Sequence, residues 1–366
     1  MNHNETCPAA FQQRIDDLCA RVLVPDAAFV AEARAYLDSL TKPLGSLGRL
    51  EDLAAQLFSI RGGDLSRPFR KAVYVFAADH GIVAEGVSAY PSEVTRQMVL
   101  NFLAGGAAIN VLARLQDAPV HVVDVGVAGD LSGCAGVLHR KVRSGSRNML
   151  HEPAMSWDEF TQAIVTGVEL AEEAASRGYD VVAPGEMGIG NTTAASALTA
   201  ALTGRSADRV TGHGTGASPE RYANKVRVVT EVLARHLSDA VPPVTPADLL
   251  RRLGGLEIAA MTGFILGSAA RGSAIVIDGF ISTAAAAFAV ALAPAARAFL
   301  FAGHLSEEPG HRILLEYLGL APILQLNMRL GEGTGAVLAM QVLEAAQHLY
   351  REMATFASAG VSEGIA

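Results

Sequence analysis

The sequence predicts an α/β fold in which a mostly parallel, Rossmann-like sheet is flanked by helices. Five short runs are almost wholly apolar, as is typical of strands that are buried on both faces of a sheet. Segments with helical patterns separate these runs, as expected where crossover helices join parallel strands. The two ends of the chain carry helical segments without strands. They predict a small helical domain of residues 1–60 and 335–366 beside an α/β domain of residues 61–334.

Each predicted strand is short, and most stop at a glycine, proline or acidic residue. The strands cover residues 71–78, 120–127, 179–183, 274–277 and 298–302. The helical patterns cover residues 26–58 with a break at 41–49, then 93–115, 157–177, 192–202, 219–237, 257–267, 282–292 and 334–353. In open parallel sheets the ligand binds beyond the carboxyl ends of the strands. The residues that follow those ends are therefore candidate site residues: Asp79, Glu186, Asp278 and His304.

The amino-acid composition indicates which classes of binding partner and which cellular compartment to expect. The 366 residues carry a net charge of −8 without a long basic run, which argues against a nucleic-acid partner. The three cysteines, Cys7, Cys19 and Cys134, form no CxxC pair and no even framework, so a reducing cytoplasm is expected. The polar N-terminus lacks a signal-peptide pattern. Residues 280–300 contain serine, threonine, proline and arginine, and predict a core helix and strand instead of a membrane span.

Three glycine-rich loops each lead into a predicted helix: GEMGIGNTT at residues 185–193, TGHGTGAS at 211–218 and LGEGTGA at 330–336. Glycines allow a ligand to approach the backbone closely, and the free amides of a helix N-terminus attract phosphate. None of the loops matches the patterns for nucleoside triphosphates or dinucleotides. Any one of them could be only a tight turn. Three at one edge of a sheet favour a phosphate-bearing ligand.

Two of these loops carry a glutamate, Glu186 and Glu332. A glutamate between glycines at a cleft is a candidate general base, although carboxylates also cap helix N-termini. The residues alone leave both interpretations open. His304 and His311, with two glutamates between them, fit no familiar metal-binding spacing, so neither a metal nor another cofactor is expected.

The chain resembles the nicotinate-nucleotide:dimethylbenzimidazole phosphoribosyltransferase family. Eight segments carry the resemblance, in order, over most of residues 30–350. They are KPLGSLGRLEDLA (42–54), ADHGI (78–82), EGVSAYPSEVT (85–95), GEMGIGNTT (185–193), GGLEIAAMTG (254–263), DGFIS (278–282), HLSEEPG (304–310) and MRLGEGTGA (328–336).

The resemblance implies transfer of phosphoribose from nicotinate mononucleotide to a benzimidazole nitrogen, giving α-ribazole 5′-phosphate and nicotinate in the lower-ligand branch of cobalamin biosynthesis. It implies a parallel α/β domain, a small helical domain and a homodimer. It leaves the acceptor open between 5,6-dimethylbenzimidazole, another azole and a phenol.

By motif, the resemblance implies that Glu332 is the general base and Glu186 a second functional carboxylate, electrostatic or ribose-binding. Lys225 would face the phosphate or pair with Glu186, or it would be an ordinary solvated helix lysine. The implied substrate contacts are Met187, Gly188, Ile189, Gly190, Asn191, Thr192, Gly214 and Ser306, with Tyr90 and Met98 in the acceptor pocket.

The implied reaction explains these residue types. A pyridinium leaving group departs neutral and needs no general acid, while benzimidazole must lose one N–H proton, so one carboxylate base suffices. Negative charge near the sugar also stabilises a developing oxocarbenium ion. Two rival functions remain. A small-molecule kinase would require a metal–nucleotide motif, which is lacking, and a binding protein without turnover would have no need of Glu332.

Overall fold

The computed structural model describes residues 7–214, 216, 218–238 and 244–362. Its strands are β1 (Lys71–Ala78), β2 (Val120–Gly126), β3 (Val137–His139), β4 (Val181–Met187), β5 (Ala274–Ile277) and β6 (Leu300–Ala302). They form one sheet in the order β3-β2-β1-β4-β5-β6, and every neighbouring pair is parallel. The predicted α/β class is confirmed. This strand order places a topological switch point between β1 and β4.

The predicted strand at residues 179–183 is wrong at its C-terminal end. It continues through Pro184 and Gly185 to Met187 because it stays paired with β1 up to Ala77. Its pairing with β5 ends at Val182, so the later residues are paired on one side only, where proline is tolerated. As a consequence, Glu186 lies within the strand and not beyond it. The three-residue β3 was not predicted.

The helices are α1 (Ala9–Ala20), α2 (Ala27–Asp38), α3 (Arg49–Ile60), α4 (Glu93–Leu103), α5 (Ala108–Arg114), α6 (Trp157–Ser176), α7 (Asn191–Thr203), α8 (Ala207–Val210), α9 (Pro219–Leu237), α10 (Pro246–Leu253), α11 (Leu256–Ala270), α12 (Phe280–Leu292), α13 (Pro309–Leu318), α14 (Thr334–Glu352) and α15 (Phe356–Ala359). The single helix predicted over 93–115 is wrong. Gly105 adopts a left-handed φ of 75° and separates α4 from α5.

Helices from the two ends of the chain pack together. The ring of Tyr350 on α14 lies 4.7 Å from that of Tyr36 on α2 and 5.3 Å from that of Phe58 on α3. The first helix packs elsewhere, because Phe11 on α1 lies 5.2 Å from the ring of Phe160 on α6. Within the described residues, no helix has the length and apolarity that crossing a bilayer requires. The apolar stretch at 280–300 forms the core helix α12 and leads into β6, as predicted.

Helices α6 and α11 cross at glycines. A Cβ atom on Gly263 of α11 would collide with the carbonyl of Ile164, and one on Gly167 of α6 would collide with the carbonyl of Ala260. The backbones therefore touch directly, and this contact seats α11 against the sheet beside β1 and β4. Because the colliding atoms belong to the backbone, no change of rotamer can make room for a side chain.

We expect Gly263→Val to destabilise the fold by about 3 kcal/mol or more, since the two helices must separate to admit the side chain. The measurement is the midpoint of thermal unfolding. Gly133→Val is the matched control, because a Cβ atom there meets nothing within 4 Å and its φ is not positive. Equal midpoints for the two variants would contradict the close crossing.

Candidate active site

The predicted phosphate loop, Gly214 and Lys225 come together at the carboxyl end of β4, beside the switch point. They line a small cavity of about 40 Å³ that also contacts the segment before α4. Tyr90 and Met98, which were predicted to line the acceptor pocket, are not among the described residues that line this cavity. Its lining residues are Val87, Ser88, Ala89, Gly188, Ile189, Gly190, Asn191, Thr192, His213, Gly214 and Lys225.

The turn from β4 into α7 is built around Gly190, which precedes the first residue of the helix. Its φ is 97°, and a Cβ atom would lie 2.7 Å from Val83 Cγ2, so only glycine fits without strain. The Ile189 N–H donates to Thr95 Oγ1 at 3.1 Å, which ties the turn to α4. The amide of Thr192 lies in the first turn of α7, where backbone N–H groups lack intrahelical acceptors. The N–H groups of Asn191 and Thr193 donate to the carbonyls of Gly188 at 3.1 Å and Gly190 at 3.0 Å, so the turn offers the Thr192 amide to an anion.

A buried histidine–glutamate pair supports this turn from below. His80 Nε2 lies 2.6 Å from Glu257 Oε1, and the two side chains are 1% and 0% exposed. A Cβ atom on Gly188 would lie 3.2 Å from Glu257 Oε1, and one on Gly190 would lie 3.2 Å from His80 Cβ. Neither this pair nor Thr95 was among the predicted site residues. The segments that contain these residues, ADHGI, EGVSAYPSEVT and GGLEIAAMTG, were nevertheless among the motifs that carried the resemblance.

Lys225 is buried beneath the same cavity and is not a solvated helix lysine. Its Nζ donates to Thr192 Oγ1 at 2.9 Å and to the Gly212 carbonyl at 3.2 Å. Burial lowers the pKa of Lys225 to about 8, and the nearby charge of Glu308 acts in the opposite direction. A cation with so little solvent around it is a ready partner for a phosphate.

Glu186 is buried on the opposite side of the turn. It accepts a hydrogen bond from Asn191 Nδ2, and Gly331 packs directly against its Oε1. Burial, helped by the negative charges of Asp278, Glu257 and Glu332, raises the pKa of Glu186 to about 8, although the hydrogen bond from Asn191 acts in the opposite direction. At neutral pH the free protein therefore holds this carboxyl mainly in its neutral form.

Glu332 lies in the loop before α14 and adopts a left-handed φ of 64°. Its carboxylate accepts the backbone N–H of Ile109, and its Oε2 is buried without a hydrogen-bond partner among the described residues. Burial raises the pKa of Glu332, and so does the charge of Asp278, although the Ile109 amide opposes them. An unpartnered carboxylate oxygen with a raised pKa can accept a proton from a bound ligand.

The other predicted contacts lie at or near the same sheet edge. Met187 ends β4, and Ser306 follows β6, where its N–H donates to His311 Nδ1 at 2.9 Å. Met98 lies on α4 and is half-buried, whereas Tyr90 precedes that helix and is 47% exposed. Two positions of the predicted loop at 211–218, residues 215 and 217, lie outside the described residues.

Comparison with known proteins matches the chain to one family. A profile described as phosphoribosyltransferase matches residues 22–361. The nicotinate-nucleotide–dimethylbenzimidazole phosphoribosyltransferase of Geobacter sulfurreducens is 49% identical, over 96% of this chain and 99% of that protein. The protein of the same name from Chloroflexus aurantiacus is 53% identical, over 91% and 94% of the two chains.

The fold is also similar to that of solved structures. The crystal structure of CobT from Thermus thermophilus superposes with a TM-score of 0.88 at 50% sequence identity, covering 92% of this chain and all of that one. A second structure, of the phosphoribosyltransferase from the same organism, gives a TM-score of 0.87. The chain is an enzyme that belongs to the nicotinate-nucleotide–dimethylbenzimidazole phosphoribosyltransferase family.

Proposed function

We propose that the protein transfers phosphoribose from nicotinate mononucleotide to 5,6-dimethylbenzimidazole or a related base. The products would be α-ribazole 5′-phosphate and nicotinate, in the lower-ligand branch of cobalamin biosynthesis. The names of the relatives support these substrates. One observation carries the proposal for this chain: a glycine turn at a helix N-terminus, with a buried lysine, lies beside two buried carboxylates at the switch point of the sheet.

The phosphate end of the nucleotide is assigned to the turn at residues 188–192. The Thr192 amide at the start of α7 would donate to a phosphate oxygen, and Lys225 Nζ would add a charge-assisted hydrogen bond. Thr192 supports this assignment, because its hydroxyl already accepts from Lys225 at 2.9 Å. Gly214 and Ser306 are assigned as further substrate contacts, with Met187 at the strand end.

The proton of the acceptor is assigned to Glu332. One benzimidazole nitrogen would attack the anomeric carbon as the bond to the pyridinium nitrogen breaks, and that bonding pair would stay with the nicotinate ring. The other benzimidazole nitrogen would give its proton to Glu332. The buried Oε2 of Glu332 supports the assignment because it has no hydrogen-bond partner among the described residues. The N–H group of a bound benzimidazole would donate to it and then transfer the proton. Tyr90 and Met98 are assigned to the walls of the acceptor pocket.

Glu186 is assigned to the ribose end of the nucleotide. A neutral carboxyl can donate to a ribose hydroxyl, and an ionised one stabilises an oxocarbenium ion. Its pKa of about 8 in the free protein would fall when the cationic pyridinium ring of the nucleotide binds beside it. The hydrogen bond from Asn191 keeps this side chain turned toward the loop.

The pKa of Lys225 predicts how nucleotide affinity varies with pH. The charged lysine is the form that binds phosphate, and a pKa of about 8 leaves about a tenth of it charged at pH 9. In a Glu186→Gln background, which removes the other group with a pKa of about 8, we expect nicotinate mononucleotide to bind about tenfold more weakly at pH 9 than at pH 7. Isothermal titration calorimetry measures this. Adding Lys225→Met should abolish this dependence of nucleotide affinity on pH. If the affinity varies with pH equally with and without Lys225, the assignment of Lys225 to the phosphate is refuted.

The proposed reaction is tested by mass spectrometry of the products. The protein is mixed with nicotinate mononucleotide and, separately, with 5,6-dimethylbenzimidazole, other azoles and phenols. We expect equal amounts of nicotinate and of the ribosylated base with its 5′-phosphate, with benzimidazoles as the preferred acceptors. Release of nicotinate without a ribosylated acceptor, or no reaction with any acceptor, would contradict the proposal.

We further propose that the protein is a cytoplasmic homodimer. The cytoplasm is supported by the three cysteines of the sequence, all present as free thiols. The dimer rests on the family resemblance alone. Light scattering after gel filtration should give twice the mass of one chain, and a monomer mass would refute the dimer.

We also propose the division into a helical domain of residues 1–60 and 335–366 and an α/β domain of residues 61–334. Residues 1–6 and 363–366 lie outside the described part of the chain.

A further inference from the structure

Asp278 caps the helix that follows the Glu332 loop. It comes directly after β5 and is 2% exposed. Its Oδ1 accepts the N–H groups of Gly335 at 2.7 Å and Ala336 at 3.1 Å, and its Oδ2 accepts the N–H of Gly333 at 3.1 Å. One carboxylate thus binds three amide donors at the N-terminus of α14.

The loop that Asp278 caps holds Glu332 in an uncommon backbone conformation. Glu332 has a φ of 64°, and both of its neighbours, Gly331 and Gly333, have a φ of 92°. A left-handed residue other than glycine is strained and persists only where its surroundings hold it. Gly185 packs against the Glu332 carbonyl from β4. The bond from Gly333 to Asp278 holds the other side of the same turn.

Asp278 also determines the charge around Glu332. Among the described residues, the other ionisable groups around Asp278 and Glu332 are Glu186 on β4, His304 after β6 and His311 on α13. His304 Nε2 lies 3.5 Å from Asp278 Oδ1, and neither ring nitrogen of His304 has a hydrogen-bond partner among the described residues. The Ile109 amide is the one described donor to Glu332. Asp278 is thus a fixed acceptor for the loop and a negative neighbour of Glu332.

We propose that Asp278 is a positioning residue for the general base. It holds Glu332 in its left-handed conformation through the amide of Gly333, and its charge makes Glu332 a stronger proton acceptor. This inference rests on the proposed function of Glu332. Asp278 would not contact the substrate itself. It would set both the position and the basicity of Glu332, which does.

Asp278→Asn tests both parts of the proposal. The asparagine keeps an acceptor for Gly335 and Ala336, but it places an NH₂ group against the Gly333 amide and removes the charge. We expect kcat to fall by about 10- to 100-fold. The acidic limb of the kcat/KM profile should move to lower pH, because a negative neighbour no longer raises the pKa of Glu332. The shift should persist in a Glu186→Gln background.

The matched control is Asp124→Asn, which makes the same change within β2, three strands away from β5 in the sheet. Asp124 is 1% exposed and accepts the N–H of Val127 at 2.9 Å, away from the Glu332 loop. It should leave the profile unmoved. If Asp278→Asn fails to fold, Asp278→Ser replaces it, because serine also caps helices and carries no charge.

The outcomes separate this inference from the function on which it rests. A lower kcat with an unmoved acidic limb would make Asp278 a structural cap only and overturn the inference. So would a shift that vanishes in the Glu186→Gln background, since it would belong to Glu186. A Glu332→Gln variant with wild-type turnover would instead overturn the proposed base itself. Loss of activity in Glu332→Gln beside wild-type behaviour of Asp278→Asn would reject the inference alone.

Discussion

Glu332→Gln is expected to lower kcat by about 100-fold or more, because glutamine has the shape of the side chain but cannot take up the acceptor proton. Nucleotide binding should remain, since the turn at residues 188–192 and Lys225 are untouched. Steady-state kinetics with 5,6-dimethylbenzimidazole measures the loss of turnover. Calorimetry with nicotinate mononucleotide measures the retained affinity.

Glu316→Gln is the control for this variant. It removes one carboxylate from an exposed position on α13 and should turn over at the wild-type rate. Equal turnover of Glu332→Gln and wild-type protein would remove the general base from the account. Loss of nucleotide affinity in Glu332→Gln would mean that this carboxylate acts in binding and not only in proton transfer.

Lys225→Met is expected to raise the KM for nicotinate mononucleotide by about 100-fold. A charge-assisted hydrogen bond contributes about 1.5–3 kcal/mol, and methionine leaves the phosphate without its buried cation. The value of kcat at saturating nucleotide should fall much less, because Lys225 is assigned to the phosphate end and not to the anomeric carbon.

Arg227→Met makes the same change of charge two residues further along α9. Arg227 is exposed and pairs with Glu231 on the same helix. The KM of this variant should stay within about twofold of wild type, as is usual for exposed pairs of this kind. If both variants raise KM equally, the effect is one of overall charge and the phosphate site lies elsewhere. If Lys225→Met lowers kcat alone, the lysine acts at the reacting bond.

The sequence predicted the layers of this fold well because apolar strand runs and helical patterns are local signals. Strand β1 and strand β5 have the predicted bounds. The errors have physical reasons. Pro184-Gly185 looks like the end of a strand, but continued pairing with β1 carries the strand on to Met187. Gly105 divides a helical pattern whose periodicity alone suggests one helix. Strand β3, with three residues, is too short to show an alternation.

The candidate site was predictable where function requires a local pattern. The glycine-rich turn before α7 and the Gly-Glu-Gly stretch at residues 331–333 can both be recognised in the sequence. In the structure, both of these glycines are left-handed. Burial of Lys225 was not predictable, because a lysine on an amphipathic helix is usually solvated. The pairing of His80 with Glu257 joins residues 177 positions apart, and only the folded chain brings them beneath the turn. Asp278 was predicted to lie at the carboxyl end of a strand, but its three amide partners at the start of α14 were not predicted.

A crystal structure of Glu332→Gln with nicotinate mononucleotide and 5,6-dimethylbenzimidazole tests the account most directly. We predict the 5′-phosphate at the Thr192 amide and at Lys225 Nζ, and the side chain of residue 332 within about 3.2 Å of a benzimidazole nitrogen. A phosphate bound away from residues 188–192, or a benzimidazole out of reach of residue 332, would contradict it.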